Sequence, residues 1–184
     1  MAHTIRPFRD YSEHEVLNLY TFSGSLPVNK GTFVKVGGSG WRNSDEPIDM
    51  IGTVGQGYNN TVSQRYGLVS KVGLANSGDT PIGMILHNMQ ETDENGELLK
   101  FNPRKAIEMG VAISGQAVPV LMRGTVLYSG DTLASEGVVA GAAIYCADNG
   151  TLSSVAGDNP GKAQVGKALG GVDDLGMCLI KIEL

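Results

Sequence analysis

Hydrophobic residues in the C-terminal part of the chain fall into short runs separated by glycine, aspartate and asparagine. The runs at 118–122, 125–128 and 142–147 are rich in Val, Ile, Leu and Tyr. Such runs between turn residues are typical of β-strands joined by tight turns. Asn149-Gly150 follows the third run and predicts a type I′ hairpin, because both central residues of that turn need positive φ.

The end of the chain alternates with a period of two. Cys178, Ile180, Ile182 and Leu184 fall on one face, and Lys181 and Glu183 fall on the other. A period of two places one set on a buried face and the other towards solvent. The C-terminal half is therefore predicted to be a compact antiparallel β unit.

The N-terminal segment has a different pattern. Residues 1–11 lack periodicity and contain a proline, which indicates an extended arm. Ser12 and Glu15 have the spacing of a capping box, so we predict a short helix over 13–20. A helix of barely two turns is not stable alone and must dock, either on its own domain or on a neighbouring subunit.

The central part predicts further strands and one more helix. Strands are expected at 32–36, 66–74 and 82–87. A helix is expected over 103–109, between the two β halves, because Asn102 can cap it, Pro103 fits its first turn and a glycine follows its end.

The domain organisation follows from these elements. Residues 1–24 would form the arm and short helix, and 25–184 would form a β domain. Our hypothesis is that this domain contains two similar halves, at about 25–100 and 110–184. In each half a glycine lies inside an apolar strand after a polar loop. The matching segments are 31–36 with 141–146, and 81–86 with 164–169.

Composition agrees with a turn-rich β protein. Glycine accounts for 26 of 184 residues, about twice its usual share. The net charge is −5 without a basic block, which disfavours nucleic-acid binding. No apolar run reaches the roughly 18 residues of a membrane span, and no signal peptide is evident, so we expect a soluble protein made in a cytosol. Cys146 and Cys178 are expected to be buried free thiols.

Motifs that would indicate chemistry are missing. The three histidines have no metal-ligand spacing, and no Gly-x-Ser-x-Gly or nucleotide-binding glycine loop occurs. Residues 91–102 partly match a calcium loop, but Asn102 occupies the position that needs a bidentate glutamate, so a charged turn at Asn95-Gly96 is the better interpretation. We therefore expect no catalytic residues, no cofactor, no metal and no enzymatic activity.

The chain resembles the decoration, or cement, proteins of tailed bacteriophage capsids. The similar segments, about two thirds of the chain, are turn and strand patterns. They are 6–16, 29–35, 118–131, 143–145, 149–152, 165–169 and the final strand. The resemblance implies a mainly β, small antiparallel domain of barrel, β-tulip or sandwich form, with an extended N-terminal arm and one or two short helices. It brings no catalytic residues.

The resemblance also implies a function and partners. The protein would be a structural virion protein on the outer surface of the mature capsid, bound to the major capsid protein and bridging its subunits. It would be a homo-oligomer, a dimer or trimer, without nucleic-acid or membrane partners. The alternatives are a tail or head-completion component and, with less support, a hydrolase on a β scaffold.

Contact residues are expected in the arm and beside the glycine-rich loop. Arginine pairs with carboxylates through two hydrogen bonds, and aromatic side chains supply buried anchors at interfaces. The alternative is that these residues only pack the arm against its own domain. The expected capsid or subunit contacts are Arg6, Pro7, Phe8, Arg9, Tyr11 and Trp41.

Overall fold

Strands account for most of the ordered structure. The computed structural model describes residues 3–8, 10–37, 71–157 and 161–184, and the elements below refer to that part of the chain. The strands are β1 (His3–Pro7), β2 (Val16–Leu17), β3 (Thr21–Phe22), β4 (Phe33–Val36), β5 (Lys71–Leu74), β6 (Gly83–Ile85), β7 (Asn88–Met89), β8 (Val111–Ala112), β9 (Val120–Leu121), β10 (Arg123–Gly130), β11 (Ala143–Cys146), β12 (Leu152–Ser153), β13 (Gln164–Ala168) and β14 (Met177–Glu183). The helices are α1 (Pro103–Glu108) and α2 (Asp131–Ser135). The mainly β fold with short helices is thus confirmed.

The strands form two large sheets and one small one. The C-terminal sheet has the order β1-β10-β14-β13-β11-β12, and the N-terminal sheet has the order β2-β9-β6-β4-β5-β3. Neighbouring strands are antiparallel, except that β3 is parallel to β5. The small sheet pairs β7 with β8 in parallel. The arrangement is consistent with a β-sandwich and does not close into a barrel.

A core lies between the two large sheets. The alternation predicted for the end of the chain is observed in β14, with Cys178, Ile180 and Ile182 buried, whereas Leu184, which follows the strand, is exposed. From the N-terminal sheet, Phe33 and Met84 belong to the same buried cluster. Burial of apolar surface is the dominant favourable term in folding, so this shared core joins the sheets.

The two sheets repeat one topology. When one edge strand is set aside in each sheet, β3 in the first and β1 in the second, the remaining five strands, numbered by their order in the chain, occupy the order first-fifth-fourth-second-third. These are β2-β9-β6-β4-β5 in one sheet and β10-β14-β13-β11-β12 in the other, with every neighbour antiparallel. The common order supports the hypothesis of an internal duplication.

Hydrogen bonds agree with this equivalence residue by residue. The Gly31 N–H donates to the carbonyl of Ile85 at 2.8 Å, at the ends of β4 and β6. The Gly141 N–H donates to the carbonyl of Ala168 at 2.8 Å, at the same ends of β11 and β13. These are the segments whose sequences match. The first unit extends from Val16 to Leu121, whereas the domain boundaries proposed from the sequence stay a prediction.

The units differ in the connection between their fourth and fifth strands. In the first unit this connection contains β7, β8 and α1, with a separate small core around Leu99 and Ile113. Helix α1 begins as predicted, since Asn102 Oδ1 accepts a hydrogen bond from Lys105 N at 3.5 Å and Pro103 is the first helical residue. The helix was expected between the two halves; instead it lies within the first unit.

The helix predicted over 13–20 is wrong. The Glu15 carboxylate does accept a hydrogen bond from Ser12 N at 2.7 Å, as in a capping box. The Glu15 N–H, however, donates to the Ser12 carbonyl at 3.0 Å and closes a turn. Val16 and Leu17 then pair with β9 as strand β2. Sheet pairing satisfies these backbone groups, and tertiary pairing overrides a weak local preference for helix.

Candidate interaction surface

The predicted contact segment forms one edge of the C-terminal sheet. Strand β1 pairs with β10, with Arg6 opposite Leu127 and Pro7 opposite Val126. Arg6, Pro7 and Phe8 are exposed, and Phe8 keeps 52% of its surface accessible. Three of the predicted residues are therefore brought together at an accessible sheet edge. Arg9 and Trp41 lie outside the described residues.

Strand β1 is held by side chains on its inner face. Ile5 is 1% exposed and belongs to the core between the sheets. The Thr32 hydroxyl donates to the Asn29 carbonyl at 2.7 Å, so it accepts the hydrogen bond from His3 Nε2, also at 2.7 Å. The arm expected from the sequence is therefore, over residues 3–7, an integral strand.

The surroundings of His3 favour its neutral form. Its ring stacks on Tyr128 with the centroids 6.1 Å apart. Nδ1 is buried and has no hydrogen-bond partner among the described residues. Burial lowers the pKa of His3, and the positive charge of the amino terminus lowers it further.

Tyr11 anchors the segment that follows β1. Its hydroxyl donates to the Thr125 carbonyl at 2.8 Å, and its side chain is half-buried. The ring covers Gly124, where an added Cβ would lie 2.8 Å from Tyr11 Cε1. Of the predicted contact residues, Tyr11 thus has a packing role within its own chain.

Strand β1 borders the solvent-facing side of the C-terminal sheet, which we call the outer face. Its cations are Arg6, Arg123, Lys167 and Lys181, its carboxylate is Glu183, and its central apolar residues are Leu127 and Leu179. Strand alternation places these side chains opposite the buried ones. The face as a whole was not predicted from the sequence, because only strand pairing brings β1, β10, β13 and β14 together.

The register of the outer face creates two rows of side chains. One row crosses β1, β10 and β14 as Arg6, Leu127 and Leu179. The next places Lys181 beside Lys167 of β13. All are exposed or half-buried. The first row thus has two leucines next to a cation at its β1 end, and two further cations lie beside it in the next row.

The one carboxylate of this face is already paired. Lys181 Nζ lies 2.8 Å from Glu183 Oε2, and Arg123 Nη2 lies 3.7 Å from Glu183 Oε1. The hydrogen bond from Lys181 is the main cause that holds the pKa of Glu183 below its usual value, and Arg123 and Lys167 add to it. Glu183 thus remains ionised at neutral pH and offsets part of the positive charge.

A second set of polar side chains resembles a catalytic arrangement, but its serine is buried. Ser153 Oγ donates to Glu136 Oε1 at 2.7 Å and accepts from Lys162 Nζ at 2.9 Å. Burial opposes ionisation of Glu136, yet hydrogen bonds from Ser153 and Ser154 outweigh it and lower its pKa. Serine–lysine pairs serve nucleophilic catalysis in some hydrolases. Here Ser153 is 0% exposed, so the network fastens α2 and β12 to the following loop.

Exposed apolar side chains also occur around α1. Phe101 is 77% exposed and Ile107 is 79% exposed. Ile107 borders an open groove that also contains His87 and Pro119. Partial burial lowers the pKa of His87, and Lys30 contributes in the same direction. The helix was predicted, whereas the exposed apolar residues beside it were not recognised as a surface feature.

No protein-family model matches the chain, and no curated protein matches it in sequence. Neither helix in the described residues is long and apolar enough to cross a membrane. Within the same residues, His, Cys, Asp and Glu side chains do not gather in groups of three that would hold a metal ion.

Proposed function

We propose that the protein is a structural virion protein that binds the outer surface of a mature phage capsid and bridges its subunits. Its partner is the major capsid protein, and its role is mechanical rather than catalytic. A protein of this kind stabilises the assembled shell by mass action, because it binds the assembled form, and by avidity when one molecule spans two subunits.

The observation that carries the proposal is the placement of the N-terminal segment. Ile5 anchors strand β1 in the core between the sheets, while Arg6, Pro7 and Phe8 remain exposed to solvent. A preorganised contact segment loses little conformational entropy on binding. The β-sandwich thus supplies a rigid platform, in agreement with the fold that the resemblance to capsid decoration proteins implies.

The test is co-sedimentation of the purified protein with capsid shells of the encoding virus, after the shells have been stripped of it. Expanded shells and unexpanded procapsids are compared. We expect saturable binding to expanded shells and greater resistance of those shells to heat. Absence of binding to both shells would refute the proposal, and self-assembly into rings or tubes would instead favour a tail component.

The contact segment is tested by substitution and not by deletion, since Ile5 belongs to the core. Arg6→Ala and Phe8→Ala are expected to weaken shell binding at unchanged thermal stability. Leu184→Ala is the matched control, because Leu184 is also an exposed apolar residue, at 46%, and follows the last strand. Undiminished binding of both contact variants would remove the N-terminal segment from the interface.

A further inference from the structure

Charge is distributed unevenly between the C-terminal sheet and the rest of the chain. The six strands of this sheet contain four of the 14 Lys and Arg residues but one of the 19 Asp and Glu residues. The strands of this sheet thus have a formal charge of +3, whereas the whole chain has a net charge of −5. The rest of the chain therefore contains 10 Lys and Arg residues and 18 Asp and Glu residues. A positive face on an acidic protein is a marked charge asymmetry.

All five charged residues of these strands lie on the outer face. The alternation buries Val126, Ile180 and Ile182 and places the charged positions on the opposite side. Glu183 already pairs with Lys181 and Arg123. Arg6 and Lys167 lie at two other positions of the face, in β1 and β13. They are the cations best placed to meet a negatively charged partner.

The two leucines that lie among the cations of the outer face indicate what kind of partner it binds. Leu127 and Leu179 are neighbours across β10 and β14 and are half-buried. An apolar centre with charged residues around it is the usual anatomy of a protein–protein interface. Nucleic-acid interfaces are much more positively charged and depend on clustered phosphate contacts. The composition of the outer face therefore favours a protein, rather than a nucleic acid, as the binding partner.

We propose that the outer face binds an acidic patch on another protein, with Leu127 and Leu179 at the centre and Arg6 and Lys167 in ion pairs at the rim. The proposal rests on the proposed function, in which that protein is the capsid subunit. Complementary charge increases the association rate and selects the partner, and the acidic remainder of the chain disfavours docking in other orientations.

The experiment compares two charge-reversal pairs with the same change in net charge. The test pair is Arg6→Glu with Lys167→Glu, on the outer face. The control pair is Lys71→Glu with Arg104→Glu, at exposed positions in β5 and α1. Both pairs and wild type are titrated onto expanded shells at low and high salt, and thermal unfolding verifies that each variant is folded. The neutral pair Arg6→Gln with Lys167→Gln replaces the test pair if the latter does not fold.

We expect the test pair to bind at least about tenfold more weakly than wild type at low salt, with a smaller difference at high salt because salt screens exposed charges. The control pair should bind within about twofold of wild type. Equal loss in both pairs, or unchanged binding of the test pair, would overturn the inference and leave the proposed function intact.

A second probe separates failure of the inference from failure of the proposed function. Binding of wild type and both pairs to immobilised poly-L-glutamate, to duplex DNA and to phosphatidylglycerol vesicles is measured at the same salt concentrations. If wild type binds no shell yet prefers poly-L-glutamate, and the test pair alone loses this preference, the function fails and the inference stands. Tighter binding to DNA or vesicles than to poly-L-glutamate would contradict a protein partner.

Discussion

Gly83 and Gly166 occupy the same position in the two sheets. A Cβ on Gly83 would lie 2.5 Å from the carbonyl oxygen of Leu121, and a Cβ on Gly166 would lie still closer to that of Lys181. Leu121 belongs to β9 and Lys181 to β14, the corresponding fifth strands. A backbone carbonyl in a paired strand moves less readily than the tip of a side chain, so both units need glycine here for their strand spacing.

Gly83→Ala and Gly166→Ala are each expected to lower the free energy of unfolding, because the added methyl group forces neighbouring strands apart. Overpacking of this kind costs about 1–3 kcal/mol, which urea unfolding resolves. Gly170→Ala is the control, since a Cβ there meets no heavy atom within 4 Å, and it should stay within about 0.5 kcal/mol of wild type. Unchanged stability of both test variants would mean that the sheets adjust without cost.

The sequence predicts the locally determined parts of this fold. The hairpin at Asn149-Gly150 is confirmed, with φ of 58° and 67°, because turn chemistry acts within a few residues. The alternation at 177–183 is confirmed because one buried face fixes it. Helix α2 was missed, since Ser129-Gly130-Asp131 has the composition of a turn, yet Gly130 ends β10 and Asp131 begins the helix.

Long-range pairing explains what the sequence does not predict. Val16 and Leu17 pair with residues 120–121, more than 100 positions away, and no local pattern indicates this partner. The same limit applies to the outer face. Arg6 was predicted as a contact residue together with its neighbours in the chain, and only the register of β1 against β10 places it beside Leu127.

The hairpin turn at 148–151 is also a contact between the two units. Gly150 N donates to the Ala75 carbonyl at 2.7 Å, and a Cβ on Gly150 would collide with the backbone of Phe33. Asp148 Oδ1 accepts from Ser77 N at 2.9 Å. The turn in the second unit is thus hydrogen-bonded to the loop that follows β5 in the first unit.

Gly150→Ala is expected to destabilise the protein by about 1–3 kcal/mol, from a strained positive φ together with the clash. Asn149→Gly is its control, because glycine accepts positive φ without strain and the hydrogen bond from the residue 149 N–H to Asn76 Oδ1 is retained. Chemical denaturation of both variants gives the comparison. If Asn149→Gly were as damaging as Gly150→Ala, the backbone explanation would be wrong.

Asp93 organises the charged turn that was distinguished from a calcium loop. Its Oδ1 accepts from Asn95 N and Glu97 N, each at 2.8 Å, and its Oδ2 pairs with Lys105 of α1. The hydrogen bond from Lys105 is the main cause that holds the pKa of Asp93 below its usual value. The turn is therefore closed by protein groups and fastened to the helix.

Asp93→Ala is expected to loosen the segment from 91 to 109, because three donors lose their acceptor. Hydrogen exchange at the amides of 95–97 should accelerate by at least about tenfold, while exchange in β14 stays unchanged. Glu94→Ala serves as the control, since the Glu94 side chain is 66% exposed and lies 3.4 Å from the same lysine. Equal protection in Asp93→Ala and wild type would show that the turn does not need this carboxylate.

Stability is expected to fall at mildly acidic pH through His3. Burial lowers its pKa in the folded protein, so above about pH 6.5 the ring is neutral in both the folded and unfolded chain. As pH decreases below that value, the unfolded chain takes up the proton and the folded chain does not. The free energy of unfolding therefore declines until the folded-state pKa is reached. His87 contributes in the same direction, so the effect of His3 is measured as a difference.

Urea unfolding at about pH 7.5 and about pH 5 is compared for wild type and His3→Gln. The variant loses the titrating ring, so its stability should decrease less than that of wild type over this interval. The control is His14→Gln, because the His14 side chain is 88% exposed, and it should follow wild type. Hydrogen exchange in β1 gives the local readout: protection there should fall with pH in wild type before protection in β14 does, since Nδ1–H of a charged His3 would be buried without an acceptor. Identical pH dependence of wild type and His3→Gln would exclude His3 as the group that couples protonation to the docking of β1.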